Sequence, residues 1–493
     1  MNKSDLSVEQ KYALHKFKQG DNLFITGPGG TGKTTLIRHL IEAAKEEKRA
    51  VQVCALTGCA AVLLNCGART IHSWSGIKLA RGDPIKIIDT VLKSKRILKN
   101  WKSAKVLIID EVSMMSKKIF EILNEIGKRA RLSRLPFGGI QVICTGDFFQ
   151  LPPVGNNMDD PGTEDFCFES NEWPQIFKPE NHILLTTIFR QRDLDYIEIL
   201  NEIRTGQLSK ESCTILEKYL GRTYVNKDNT VFIPTKIFPT RVKADYVNTM
   251  MFKTLDEDEY HFEFTIKTDC KTMLDSGKIF TPEQTIRCER MTQQEREYEL
   301  ENLKNNTSCE QLLKLKKGAS ILCRVNIDIE SGICNGSQGI ITRIEDRGPS
   351  TIIEVKFTNG LTRIIEPHWW QSEEYPCIAI KQYPISLAWA MTIHKIQGAT
   401  LSMAEIDIGS AIFEYGQTYV ALSRIQSLDG LYLSAFNPQK IRSNPKVIEF
   451  YSNIKKIDRT VLEEIEKSKT IFENFECKEE EYVADPNIKT IRL

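Results

Sequence analysis

The stretch Asn22-Leu-Phe-Ile-Thr-Gly27-Pro-Gly29-Gly30-Thr31-Gly32-Lys33-Thr34-Thr35 constrains this chain more than any other. A short apolar run leads into a glycine-rich turn, and a helical apolar pattern follows through Leu36, Ile37 and Leu40. The turn fits G-x-x-x-x-G-K-[ST] at Gly27, Gly32, Lys33 and Thr34. Glycines let backbone N–H groups curl round phosphate oxygens, and the helix N-terminus adds partial positive charge. Lys33 can reach terminal phosphates, and the Thr34 hydroxyl can ligate Mg²⁺. A strand before the turn and a helix after it point to a phosphate-binding loop in an α/β fold.

The 493 residues suffice for about three domains, and 41% hydrophobic content supplies sizeable cores. No apolar run is long enough to span a bilayer, and the N-terminus has no signal-peptide pattern. Thirteen cysteines never fall as C-x-x-C. That argues against a disulfide framework or zinc site and favours a reducing intracellular compartment. Net charge is only +1, so any nucleic-acid partner must be held in a local basic groove.

Lys105-Val-Leu-Ile-Ile-Asp110-Glu111 reads as a buried parallel strand with two acids at its C-terminal end, facing the crevice of an α/β sheet. Coupled to the phosphate loop, Asp110 suits the metal and Glu111 suits polarising a water. A further strand ends at Gly146-Asp147-Phe148-Phe149-Gln150-Leu-Pro152-Pro153. There Gln150 can sense a γ-phosphate, and the phenylalanines and prolines can wall an unpaired strand. Gln10 can offer its amide to an adenine edge, although a solvated helix-start residue has the same look. Trp74 suits a base or a core equally. The lysine-rich stretch 76–102 reads as a small helical insertion, either a solvated face or a wedge that touches nucleic acid.

In order, the motifs GPGGTGKT, ALTGCAA, TIHSW, LIIDEVSMM and FGGIQVICTGDFFQLPPV resemble superfamily 1B DNA helicases of the Pif (petite integration frequency) family, with RecD-like helicases as more distant relatives. Phe189-Arg190-Gln191, Asn335-Gly336-Ser-Gln-Gly339, Thr392-Ile-His394-Lys395-Ile-Gln397-Gly398 and Gln417-Thr-Tyr419-Val-Ala-Leu-Ser423-Arg424 continue the match to about Pro438. The resemblance implies two tandem RecA-like lobes with a wedge insertion and an SH3-like barrel insertion. The first lobe is expected over 1–185 with the wedge at 76–102, and the second over 186–252 and 384–450. The barrel insertion falls at 253–383 and an acidic helix or tail at 451–493. Turns at Asn335-Gly336 and Asn359-Gly360 agree with small antiparallel hairpins. The segment 256–303 is charged and poorly patterned.

What the resemblance implies for function is an ATP- and Mg²⁺-dependent helicase moving 5′→3′ on single-stranded DNA and opening tailed or forked duplexes. Gln10 is then expected on adenine, with Gly27, Gly29, Gly30, Thr31, Gly32, Lys33, Thr34, Thr35 and Gly398 around the nucleotide. Thr34 and Asp110 hold the metal, Glu111 is the base, Gln150 the γ-phosphate sensor, and Arg190 and Arg424 the arginine fingers. Those arginines act only when the lobes close over ATP. Thr57, Gly58, His72, Phe149, Pro152, His394 and Lys395 fall in motifs that contact the DNA strand. The rival reading is a DNA-stimulated ATPase that displaces bound proteins without unwinding. A monomer in the nucleus or cytoplasm is expected, with no membrane association and no support for mitochondrial import.

Overall fold

The computed structural model describes residues 6–454 except 65, 79, 156–157, 225–232, 269–281, 308–309, 329–330, 334, 347, 349–350 and 373–374. The acidic stretch expected beyond Ile454 lies outside the described residues.

Six parallel strands form the first lobe: β1 Leu23–Thr26, β2 Val51–Ala55, β3 Arg69–Thr70, β4 Val106–Asp110, β5 Gln141–Gly146 and β6 His182–Leu184. Their spatial order is β3-β2-β4-β5-β1-β6. A parallel sheet needs both faces covered, and β1, β4 and β5 are buried at every residue. Strand alternation sorts their side chains into two cores. Ile25, Ile108 and Ile143 pack with Phe17, Leu36 and Leu40 on one face. Phe24, Leu107, Ile109, Val142 and Cys144 pack with Phe120 and Trp173 on the other.

The 76–102 insertion is helical, as its pattern predicts. Helices Pro84–Lys93 and Lys95–Ser103 share Ser94, which ends the first and caps the second through Ile97 N–H. Ile88, Val91, Ile97 and Trp101 sink into the lobe, and Trp101 packs on Trp74 with ring centroids 4.7 Å apart. Trp74 is thus a core residue. Lys86, Lys93, Lys95, Lys99 and Lys102 all face solvent.

The second lobe has a four-stranded parallel sheet in the order Ala390–Thr392, Thr235–Phe238, Ala404–Ile408, Leu431–Phe436. Helices Leu194–Thr205, Arg241–Thr254 and Gln417–Leu422 pack around it. The two lobes are tandem RecA-like units. Between the second lobe's halves sits an antiparallel five-stranded sheet ordered Thr362–Ile365, Thr351–Phe357, Gln338–Asp346, Ser320–Cys323, Ile385–Leu387.

The expected borders shift in two places. Ile385–Leu387 pairs with Ser320–Cys323, so the insertion runs past 383 and the lobe resumes at Ala390. The helix Pro445–Ser452 straddles the border expected at 450 and returns to the first lobe. There Val447 and Ile454 are buried in its core, and Lys446 pairs with Glu169 and Asp165. Asn359-Gly360 does turn a hairpin. Asn335-Gly336 instead closes a long loop, with Gly336 N–H donating to Cys323 O at 3.0 Å. The poorly patterned 256–303 segment contributes strands Tyr260–Glu263 and Thr265–Lys267 and helix Pro282–Glu289, and helix Gln293–Asn306 runs on past it. Of the Trp369 and Trp370 pair, Trp370 is buried and Trp369 half-buried under Lys381.

Candidate nucleotide cleft and strand-binding face

The phosphate loop joins β1 to helix Lys33–Glu46. Gly30 there has φ +90°, and a Cβ would sit 2.6 Å from the Arg190 Cβ. Only glycine admits both that backbone and that approach. A cleft of about 360 Å³ opens over the loop, lined by Gly29, Gly30, Thr31, Gly32, Lys33, Thr34, Thr35, Glu111, Gln150, Arg190, Gly398 and Arg424. Twelve residues expected at the nucleotide from six separate stretches therefore line one space. Phe189, Thr400 and Gln426 line it as well. Phe189 is half exposed beside Gly32, an aromatic that only its place next to Arg190 could have signalled.

Lys33 Nζ donates to the Gly27 and Pro28 carbonyls at 2.7 and 3.0 Å. Burial pushes its ammonium below the ordinary range, against the pull of Asp147, Glu111 and Asp110. Asp110 ends β4, and Thr145 on β5 donates its hydroxyl to Oδ1. Burial raises the Asp110 carboxyl. Glu111 follows in a left-handed conformation, φ 56° and ψ 41°, which turns it off the strand axis. Burial and the adjacent Asp110 push its carboxyl up to about 7. Gln397 of the second lobe donates to Glu111 Oε2 at 3.2 Å. Gln150 is buried, and its Oε1 has no hydrogen-bond partner among the described residues. An orphaned buried acceptor at a cleft wall is costly unless something fills it.

Both arginines already stand in this cleft. Arg190 Nη1 donates to Ser423 O at 3.1 Å, and Arg424 donates to Val420 O and Ser423 Oγ at 2.9 and 2.8 Å. Burial and the neighbouring Arg424 lower Arg190 to about 10, and burial lowers Arg424. Adjacent desolvated guanidiniums favour a polyanion between them. The lobes are in contact without it: Gly29 N–H donates to Tyr419 Oη at 2.8 Å. A Cβ on Gly416 would fall 2.5 Å from the Phe149 and Gln150 carbonyls.

Gln10 sits against the phosphate loop. Its Oε1 accepts from Ser7 N–H, and its Nε2 donates to the Thr31 and Gly32 carbonyls at 3.1 and 3.3 Å. In this arrangement the amide braces the phosphate loop with both its hydrogens, and Oε1 keeps one lone pair beyond the Ser7 contact. Gly27 and Asp110 lie just outside the cleft lining, behind Lys33 and Glu111.

The residues expected on a DNA strand divide. Thr57 caps the helix starting at Gly58, and His72 sits half-buried on the short helix Ile71–Ser75, beyond the ends of β2 and β3. His394 and Lys395 are exposed on the single turn Ile393–Ile396, after the second lobe's strand Ala390–Thr392. Phe149 and Pro152 are buried. Phe149 lies against the Tyr451 ring at 4.6 Å, and the Arg204 guanidinium covers it at 4.3 Å. The expected aromatic wall for a strand is here a packed interior.

Behind the cleft, Arg204 from the second lobe makes a two-pronged ion pair with fully buried Asp147, at 3.0 and 2.8 Å. Tyr451 joins it: its hydroxyl meets Thr26 Oγ1, accepts from Phe148 N–H at 3.2 Å and donates to Asp147 Oδ1 at 3.3 Å. Nothing local in the sequence marks Arg204 or Tyr451 for this duty.

A phosphate loop on one parallel-sheet lobe, completed by arginines from a second, defines a tandem RecA-like P-loop protein. The PIF1-like helicase family model matches residues 5–214, and that of the DNA helicase Pif1 2B domain matches 299–344. The chain is 31% identical over 455 residues to the ATP-dependent DNA helicase PIF1 of Xenopus laevis, covering 92% of this chain and 65% of the relative. It therefore spans just under two thirds of that curated relative's length. The crystal structure of Pif1 helicase from Candida albicans superposes with a TM-score of 0.70 at 32% identity, covering 91% of this chain and 99% of that one. Bacteroides Pif1 bound to single-stranded DNA gives 0.60 at 28% identity, over 92% and 99%. The chain belongs to the PIF1-like helicase family. Among the described residues, no helix is long and apolar enough to cross a membrane.

Proposed function

We propose that this chain is an ATP-dependent DNA helicase that moves 5′→3′ on single-stranded DNA and unwinds duplex DNA during replication, repair, recombination or telomere maintenance. One observation carries the reading: Lys33, Glu111 and Gln150 share a single cleft with Arg190 and Arg424. A relative named as ATP-dependent supports ATP, and a relative bound to single-stranded DNA supports that strand as partner.

In this reading the loop amides and Lys33 hold the β- and γ-phosphates, Lys33 exchanging its loop carbonyls for phosphate oxygens. Thr34 and Asp110 would hold Mg²⁺, which screens phosphate charge. The donors fit, since Thr34 faces the cleft and Thr145 fixes one Asp110 oxygen. Glu111 accepts the proton of the attacking water while Gln150 orients the γ-phosphate. Arg190 and Arg424 give up contacts around Ser423 to neutralise charge in the transition state. Thr57, Gly58 and His72 on one lobe, with His394 and Lys395 on the other, hold the strand, so each nucleotide-driven shift between lobes moves it. The protein acts as a monomer on tailed or forked duplexes, in the nucleus or cytoplasm.

Strand displacement on duplexes bearing a 5′ or a 3′ tail tests the reading. Unwinding of the 5′-tailed substrate alone, with ATP consumed, is the expected result. ATP turnover with neither substrate opened refutes it.

A further inference from the structure

The segment His394–Gly398 runs from the protein surface to the cleft within five residues. Ile393 and Ile396 are fully buried in the second lobe's core. The Thr392 hydroxyl accepts from Lys395 N–H at 3.4 Å. That anchoring makes the single turn Ile393–Ile396 a unit that shifts as a whole. Its outer face presents His394 and Lys395 to solvent. Two residues past Lys395, Gln397 crosses to the first lobe and donates to Glu111 Oε2 at 3.2 Å. Gly398, one residue further, already lines the cleft.

We propose that Gln397 is a positioning residue that reports strand occupancy at His394 and Lys395 to Glu111. This rests on the reading that the turn holds DNA. A neutral amide suits the task, because it orients a carboxylate without supplying a proton or a competing charge. Its single N–H contact occupies Oε2 and leaves Oε1 for the attacking water. When a strand draws on His394 and Lys395, the buried isoleucines transmit the shift to Gln397, and the carboxylate turns with it. A displacement of about 1 Å at a reacting group changes rates by about 10²-fold, so a small movement suffices. DNA-stimulated turnover then follows from one hydrogen bond between the lobes.

The test compares Gln397→Ala and the near-isosteric Gln397→Met with the parent protein and with the double variant His394→Ala/Lys395→Ala. ATP turnover is measured with and without an oligothymidylate, together with KM for ATP, oligothymidylate affinity by fluorescence anisotropy, and Tm. Both Gln397 variants should lose at least tenfold in the ratio of stimulated to basal turnover. Their DNA affinity and KM should stay within twofold, with Tm unchanged. The double variant should lose DNA affinity. A stimulation ratio retained in both Gln397 variants overturns the proposal. So does a loss in Gln397→Ala that Gln397→Met restores, because packing and not the donor would then matter. A parallel fall in DNA affinity makes Gln397 a strand contact and also overturns it. If the double variant binds DNA as the parent does, the strand-binding reading of the turn fails, and the Gln397 proposal falls with it.

Discussion

The two lobes touch at two places along the C-terminal edge of the first sheet, and the two contacts are built differently. At the cleft they meet through single polar contacts, Gly29 N–H to Tyr419 and Gln397 to Glu111. Behind it, Arg204 and Asp147 form a buried two-pronged pair roofed by the Phe149 and Tyr451 rings. Around Tyr451, Phe450 packs among Phe24, Phe148, Phe168 and Trp173. A single hydrogen bond contributes little net stability, whereas a desolvated charge pair is costly to separate. The front is thus built to open and the rear to hold, as a hinge requires.

The strongest way to break this contrast is at the front. Arg424→Ala should lower DNA-stimulated ATP hydrolysis by about 10³-fold or more, as loss of an arginine finger does, while leaving Tm nearly unchanged. Single-turnover kinetics beside a thermal melt checks both halves. A large fall in Tm would mean that Arg424 is structural and the front is no freer than the rear.

At the rear the balance should invert. Arg204→Ala strands a fully buried carboxylate, at a cost of about 3–5 kcal/mol. Chemical denaturation should report that loss directly. An effect below about 1 kcal/mol would show that Asp147 finds water and the rear is not dry.

Acid should loosen the rear as well. His182 accepts from the Trp173 indole N–H at 3.2 Å and lies beside Phe450. Burial lowers its imidazole to about 4 from the usual 6.5. The unfolded chain therefore binds the extra proton first as pH falls. Its contribution is fully present above pH 6.5 and drains away down to about pH 4. The slope is at most about 1.4 kcal/mol per pH unit, and less where the ring reaches water. Melts of the parent and His182→Phe across this window should diverge, with the variant the less acid-sensitive. The smallest expected effect is Tyr451→Phe, which removes one hydroxyl from three partners and should cost about 1 kcal/mol.

Much of the front was legible in the sequence, because each part is a local device. The phosphate loop needs its glycines in a row, and Asp110 and Glu111 need a buried strand before them. Arg190 and Arg424 came from ordered motifs, which reveal identity but not how near the lobes stand. The rear was not legible. Arg204 and Asp147 are separated by 57 residues, and Tyr451 and Asp147 by 304. No periodicity links such pairs. Phe149 was misread for the same reason: an aromatic beside a cleft can face a base or a core, and only the returning helix decides. The helix Gln293–Asn306 stayed hidden because its charged sequence carries almost no apolar stripe.

The tie between Thr26 and Tyr451 spans 425 residues. During synthesis the first sheet leaves the ribosome long before the helix that finishes its rear exists. Until then Phe24, Phe148 and Phe168 lack the cover of Phe450, and loop closure over so long a chain is slow. The nascent first lobe should therefore pass through a sticky, incomplete stage, a natural client for chaperones. Its maturation waits on translation of the helix Pro445–Ser452.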